Sequence, residues 1–438
     1  GKDGEHLPGG SEASLKARLG DSLAAVACIS QGGFAFMTVS LPFGIGSLEA
    51  GTLVLYSFLG IFTMLCIRSA CTAGLPGHGK GSSAPYFALL FAGLIVIAVF
   101  RDLSVGADFG VYRELFDNID SGDVIAERLR SYKSGYFWIT WICKKCFGSF
   151  SAYIFVCYAI ILAGYIIFLC TYCKGSDLIS YVPFIIVAFF YIKALTELKT
   201  AMAASCFLVF LSCLKPRKPV WAIVGLVFLF FSLELHLFTV CVFAPFVVFW
   251  YVFRNRISGW SRLKFALWVL IPAVLSLAAI RYVKGQLDIY APLFDMIRGD
   301  IREYLQMSPT DIFHGLFAEH WIMLIPHTAL FVFMLIAWDG IGDGRSSVLA
   351  KAACTWDIMI MPGCTYANIW RENSILFMTR MLMWGEILRI LEKRCPEKYR
   401  KLHRIFWFLV FFGWFLFRLF SEAEDLGVDP YVFDFAVK

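Results

Sequence analysis

Apolar runs of helical length, broken by short polar clusters, recur from residue 22 to residue 420. Thirteen are legible, at 22–45, 52–68, 85–100, 150–171, 178–192, 199–213, 219–234, 238–253, 265–281, 321–337, 346–362, 368–386 and 404–420. A run of about 20 apolar residues crosses the hydrocarbon core as a helix, and a helix satisfies all of its own backbone groups in lipid. No stretch alternates with the two-residue period of a membrane barrel. The pattern therefore predicts an all-α, polytopic membrane protein with about 11–13 transmembrane helices. The first run is the most interrupted, by Gln31, Gly32, Gly33, Pro42 and Gly44, and a signal segment is its alternative reading.

Composition agrees with the pattern. Hydrophobic residues are 59% of 438, charged residues 16%, and mean hydropathy is +0.70, outside the range of soluble domains. The 44 phenylalanines suit lipid-facing helices and interfacial belts. The net charge of +6 comes from clusters between runs, such as "KPRK" (215–218), "RNR" (254–256) and "EKRCPEKYRKLHR" (392–404). Such clusters are what the positive-inside rule produces, and they imply no nucleic-acid partner. Counting them makes 1–21 a cytoplasmic segment, 22–420 the multi-span domain and 421–438 an extracytoplasmic tail. Two larger extracytoplasmic loops follow, 101–149 and 282–320. The first contains "YFWITWICKKCF" (136–147), read as a short surface helix. The second contains Phe294, Ile297, Ile301 and Leu305 at helical spacing, the mark of an interfacial amphipathic helix. No internal repeat of the transporter kind is visible.

Candidate metal sites do not hold up. Most of the 14 cysteines, among them Cys157, Cys206 and Cys241, lie inside apolar runs as small hydrophobes. The pairs Cys143/Cys146 and Cys170/Cys173 flank the run 150–171, so they belong to opposite membrane faces. Cys143 and Cys146 are open to either a disulfide or two thiols. His314, His320 and His327 have no carboxylate or cysteine at ligand spacing, and "WDGIGDG" (338–344) lacks the terminal Glu of a calcium loop. No metal or other cofactor is called for.

Charge gathers instead where runs meet the predicted outer face. Arg101 and Asp102 close the third run. Lys193, Glu197 and Lys199 lie between the fifth and sixth, Glu234 and His236 between the seventh and eighth, and Arg281 ends the ninth. Arg371 and Arg380 belong to the twelfth. Plain readings exist for several. Arg281 and Lys193 can snorkel to headgroups, Lys193 and Glu197 can pair at i,i+4, and His236 can be an ordinary loop histidine. Arg380 falls inside an apolar run, where an arginine costs about 3 kcal/mol, so it should face inward and be paired or hold a ligand.

The stretch "FRDLSVGADFGVYRELF" (100–116) resembles the EpsG/Wzy-like family of bacterial polysaccharide polymerases. That family carries an Arg closing a span, then Gly-x-Asp, then a Tyr four residues on. Here these are Arg101, Gly106, Asp108 and Tyr112, with Phe116 one turn later. "LKTAMA" (198–203) stands where the family has Leu-Arg-Gln-x-x-Ala, and "LHLF" (235–238) where it has a His opening a span. The resemblance covers 85–255 and continues by span order alone; 1–84 has no counterpart. Lys199–Thr200 replaces Arg-Gln, which keeps the cation and loses the planar fork. Leu237 and Phe238 replace small residues or proline after His236.

The resemblance implies a GT-C-like or Wzy-like bundle in the bacterial inner membrane. It implies polymerisation of oligosaccharide repeat units on a polyprenyl-pyrophosphate carrier, with chain-length regulator and flippase proteins as partners beside the bilayer itself. Within it, Arg101, Gly106, Tyr112, Lys199, Arg281 and Arg380 would hold the substrate, and Asp108 or His236 would act as base. Gly106 and Gly110 would fold the backbone around the carboxylate. A lipid-linked glycan flippase or other transporter, or a membrane acyltransferase acting on glycans, are the alternatives.

Overall fold

The computed structural model describes residues 38–40, 47–73, 82–120, 134–173, 182, 194–215, 218–236, 238–286, 288–290, 321–366, 377–423 and 426–434. Two short strands, β1 (Thr38–Ser40) and β2 (Ser47–Glu49), pair antiparallel with Val39 opposite Leu48. Helices follow: α1 (Ala50–Thr72), α2 (Ala84–Val99), α3 (Phe109–Asn118), α4 (Ser134–Phe147), α5 (Phe150–Tyr172), α6 (Leu198–Cys213) and α7 (Pro219–Leu235). The second half supplies α8 (Phe238–Phe253), α9 (Arg262–Gly285), α10 (Trp321–Ala337), α11 (Arg345–Tyr366), α12 (Phe377–Arg394) and α13 (Arg400–Glu422).

Ten of the thirteen apolar runs fall on helices, and the described part of an eleventh, 368–386, falls on α12. The run 178–192 lies outside the described residues but for Val182, and so does most of 22–45. The end of 22–45 departs from expectation, because Thr38–Ser40 is extended and paired with β2. The amphipathic segment 292–306, Arg371, Lys193, His314 and His320 also lie outside the described residues. Among the described residues, four helices are long and apolar enough to cross a membrane: Ala50–Thr72, Phe150–Tyr172, Arg262–Gly285 and the stretch Glu397–Glu422. Shorter apolar helices, including α2, α6 and α7, lie beside them. The chain is an all-α polytopic membrane protein.

Helix α6 is the central post. Every residue in it except Lys199 is buried, as a helix enclosed by other helices requires. Phe207 stacks on Phe243 of α8 with ring centroids 3.7 Å apart. Small polar side chains pin α6 to its neighbours. Ser205 Oγ donates to Ile161 O at 2.7 Å, Tyr172 Oη to Leu211 O at 2.7 Å, and Ser232 Oγ to Ala203 O at 2.7 Å. Each such bond between membrane helices contributes about 0.6 kcal/mol. The outer shell is apolar towards its surroundings: Ile223, Leu226 and Phe230 of α7, and Leu263, Leu270 and Val274 of α9, are all exposed. In a soluble protein these would be liabilities; in a bilayer they are the solvated surface.

The bundle has two poles. Helix α5 is 23 residues long, about 35 Å from end to end. At its start, Phe150 packs on Phe109 and Phe116. At its end, the Thr171 carbonyl accepts from Lys215 Nζ, and the Lys215 carbonyl accepts from Arg345. Arg262 pairs with Asp339 at 2.5 Å, and Trp338 Nε1 donates to Trp260 O at 2.6 Å. Cys143 lies near the first pole and Cys173 at the second, beside Lys215, as the two-sided reading of the CxxC pairs requires; all four cysteines of those pairs are free thiols. The basic clusters assigned to the cytoplasm line this second pole. The first pole carries Arg101.

Candidate functional site

Arg101 follows directly on α2, where a snorkelling side chain would reach for water. It does the opposite: the residue is 3% exposed. Its Nη1 donates to Leu195 O at 2.6 Å, and its guanidinium lies 3.7 Å from the Phe109 ring centroid and 5.5 Å from that of Tyr158. Nε and Nη2 are buried and find no acceptor among the described residues. Each unmet donor of this kind costs about 1–3 kcal/mol, so the arrangement is one that an incoming anion would complete.

The loop after Arg101 is held in place by the segment that follows α13. Gly106 N donates to Gly427 O at 2.5 Å, Ala107 N to Leu426 O at 2.9 Å, and Asp102 N to Val432 O at 2.9 Å. Asp434 N returns a bond to Phe100 O at 2.7 Å, and Arg101 bridges to Phe433 in antiparallel fashion. The same segment reaches the first helices: Tyr431 N donates to Thr52 Oγ1 at 2.9 Å, and the Asp429 carboxylate accepts from Glu49 N at 3.2 Å. Residues 426–434 thus form a strap across this pole. Gly106 has φ +99, and a Cβ there would lie 2.6 Å from Leu195 O, the carbonyl that holds Arg101. Gly110 is different. It is exposed on α3 with nothing within 4 Å of a Cβ, so the tight fold expected of it is not seen.

Asp108 stands at the N-cap of α3, exposed, and its carboxylate makes no capping bond. No ion pair joins it to Arg101 among the described residues. Tyr112 is buried one turn on, where burial pushes its phenol well above the usual range; the Asp108 and Glu197 carboxylates push the same way, and the Lys199 backbone N–H opposes them. Lys199 lies in the first turn of the post α6, its ammonium 4.8 Å from the Tyr136 ring centroid and 5.8 Å from that of Tyr112. His236, half-buried, is the C-cap of α7. Its neighbour Glu234 packs on Gly135, where a Cβ would approach Glu234 Cβ to 3.0 Å. Asp108, Tyr112, Lys199 and, through Gly135–Tyr136, His236 therefore share the pole with Arg101.

Two further expected residues make no contact with Arg101 among the described residues. Arg281 is exposed on α9, and no contact among the described residues links it to Arg101. Arg380 lies on α12, whose described residues start at Phe377. It grips Asp357 of α11 with both arms, Nη2 to Oδ1 at 2.9 Å and Nε to Oδ2. His327 Nε2 lies 3.5 Å from the same carboxylate, which is fully buried. Arg418, paired with Glu422 at 2.6 Å, stands electrostatically between Arg380 and Glu197.

The EpsG family model matches residues 85–433. The chain belongs to the EpsG family. The match opens at the start of α2 and closes within the strap, so an EpsG protein includes both partners of the Arg101 loop. Membership supports, in general terms, a polymerase-type role in polysaccharide biosynthesis. Comparison with curated proteins and with solved structures gave no match. Sequence reading missed the strap, Leu195 and Asp357. The lone carboxylate in "AACTWDIMIM" (352–361) was the available signal for Asp357, since a buried arginine in an apolar run calls for one.

Proposed function

We propose that the Arg101 pole is the site at which lipid-linked oligosaccharide repeat units are joined into a surface polysaccharide, on the extracytoplasmic side of a bacterial inner membrane. The protein is then an integral-membrane glycosyltransferase. The observation that carries this reading is Arg101, buried at the edge of an apolar bundle, with Nε and Nη2 lacking an acceptor at hydrogen-bond distance among the described residues. In the proposed reaction a sugar hydroxyl attacks the anomeric carbon of the carrier-linked repeat. The new C–O bond forms as the bond to the diphosphate breaks, and the diphosphate leaves with the electron pair. Arg101 and Lys199 stabilise that departing charge; one such donor contributes about 10²–10³ in rate. The hydroxyl proton passes to Asp108, which is exposed and lies beside both Tyr112 and the Arg101 loop, with His236 as the second candidate base.

Arg380 and Arg281 have less support as substrate ligands. Arg380 is held bidentately by Asp357, and its charge is felt by Arg418. The flippase reading draws on this same buried group, since charges inside a bundle mark transport paths. It is disfavoured by the bidentate geometry, which leaves the Arg380–Asp357 pair balanced within itself. Chain-length regulator and flippase proteins are the partners that a polymerase of this kind would need. The test is the glycan of a deletion strain: single repeat units on the carrier support the polymerase, and unchanged polymer overturns it.

A further inference from the structure

Leu195 holds Arg101, and both of its neighbours in the chain are themselves held. On one side, Tyr158 Oη of α5 donates to Ala194 O at 2.7 Å, and the same hydroxyl bonds to the Arg101 guanidinium. On the other, Thr196 Oγ1 donates to Leu426 O at 2.9 Å. Leu426 O takes a second bond, also at 2.9 Å, from Ala107 N in the loop that follows Arg101. A carbonyl oxygen has two lone pairs, so it accommodates both donors. The bonds close a ring: Arg101 to Leu195, Thr196 to Leu426, and Ala107 back to the same Leu426 carbonyl. One link of the ring comes from Arg101 and one from the backbone. The third comes from the hydroxyl of Thr196, a residue 3% exposed.

We propose that Thr196 is a positioning residue for the Arg101 pole: its bond to Leu426 couples the docked strap to the carbonyl that holds Arg101. This rests on the polymerase reading and adds a residue to it. A peptide carbonyl points where its flanking residues hold it. Ala194 is held from α5, inside the bundle, whereas Thr196 is held from the strap that follows α13. The Leu195 carbonyl is thus aimed at Arg101 by two elements that are far apart in the chain. The residue type suits the task. Threonine supplies a donor on a β-branched stem with a restricted χ1, so the hydroxyl is aimed at little further entropic cost. Valine has the same shape without the donor, and serine has the donor without the methyl. In Thr196→Val, Leu426 O still accepts from Ala107 N, so the variant leaves no buried carbonyl without a partner.

The experiment compares Thr196→Val and Thr196→Ser in the full-length protein, purified in detergent, by two measurements. Backbone hydrogen exchange reads the ring itself. Thr196→Val should speed exchange within 104–108 about five-fold or more while α6 stays protected, and Thr196→Ser should restore it. Turnover of lipid-linked repeats reads the site. Thr196→Val should lower kcat about five-fold or more with KM little changed, and Thr196→Ser should recover most of the loss. A merely structural role would give the opposite order, since serine surrenders the buried methyl that valine keeps. Wild-type exchange in Thr196→Val overturns the proposal. So does wild-type kcat in that variant, or a serine variant as slow as the valine one. The exchange comparison does not depend on polymerisation, and the deletion-strain glycan alone decides the polymerase reading, so the two can fail separately.

Discussion

Gly106 and Leu195 meet at a distance that admits no side chain: a Cβ on residue 106 would stand 2.6 Å from the Leu195 carbonyl oxygen. That oxygen is also the acceptor of Arg101 Nη1. The glycine and the arginine are therefore two parts of one fitting. Gly106→Ala should strain the loop by about 1–3 kcal/mol and displace the Arg101 carbonyl partner. Polymer per membrane-inserted protein should fall at least as far in Gly106→Ala as in Arg101→Lys; normal polymer in Gly106→Ala would separate the two residues.

Lys199 holds its ammonium over the rings of Tyr112 and Tyr136. Lys199→Arg keeps the charge and the ring contact, and should retain most of the activity. Lys199→Ala should lower polymer synthesis at least ten-fold with the protein still in the membrane. Normal polymer in the alanine variant would remove Lys199 from the site.

Asp108 separates chemistry from structure. It makes no helix cap, so Asp108→Asn should leave folding intact. If the carboxylate accepts the hydroxyl proton, kcat should fall by about 10²–10⁴ with KM little changed. An unchanged rate with purified protein and lipid-linked repeats would transfer the role to His236.

The Asp357–Arg380 pair concerns stability. Arg380→Ala removes the bidentate cation from a fully buried carboxylate beside His327, and should cost about 3–5 kcal/mol in thermal unfolding. The double variant Asp357→Leu/Arg380→Met should recover most of that loss. A double variant no more stable than the single one would mean that the pair is not the source of the cost.

Topology is open to direct labelling. Positive-inside counting puts 101–149 outside and 387–404 in the cytoplasm. Cysteines introduced in 118–126 should react with an impermeant reagent from the periplasmic side, and those in 396–400 should not. The reverse pattern would move the Arg101 pole, and the reaction, to the other face.

Periodicity and span length were enough to place most of the helices, because each apolar run has to be long, continuous and flanked by charge. They did less well where the chain turns polar. Arg101 was legible as a cation closing a span, but nothing local tells an arginine that snorkels from one that turns inward onto Phe109. What draws it in is Leu195, which lies 94 positions away. Arg380 was legible as an inward, paired residue, since membrane burial of a charge demands a partner; Asp357 could have been named on the same ground. Gly110 misled, because a glycine on an exposed helix face carries the same letter as one at a positive φ. The strap was invisible to pattern reading. Its bonds to the Arg101 loop run backbone to backbone and leave no trace in residue type beyond Gly427, whose φ of +64 and close approach to Ala107 N both call for glycine.

The strap also orders events in time. The carbonyls of Leu426 and Gly427 are made only after α13, more than 300 residues later than the Arg101 loop that they hold. A ribosome that has inserted every other helix still presents that loop without its brace. Competence at this pole therefore arrives last, and a chain cut short after α13 should reach the membrane as a complete bundle that does no work.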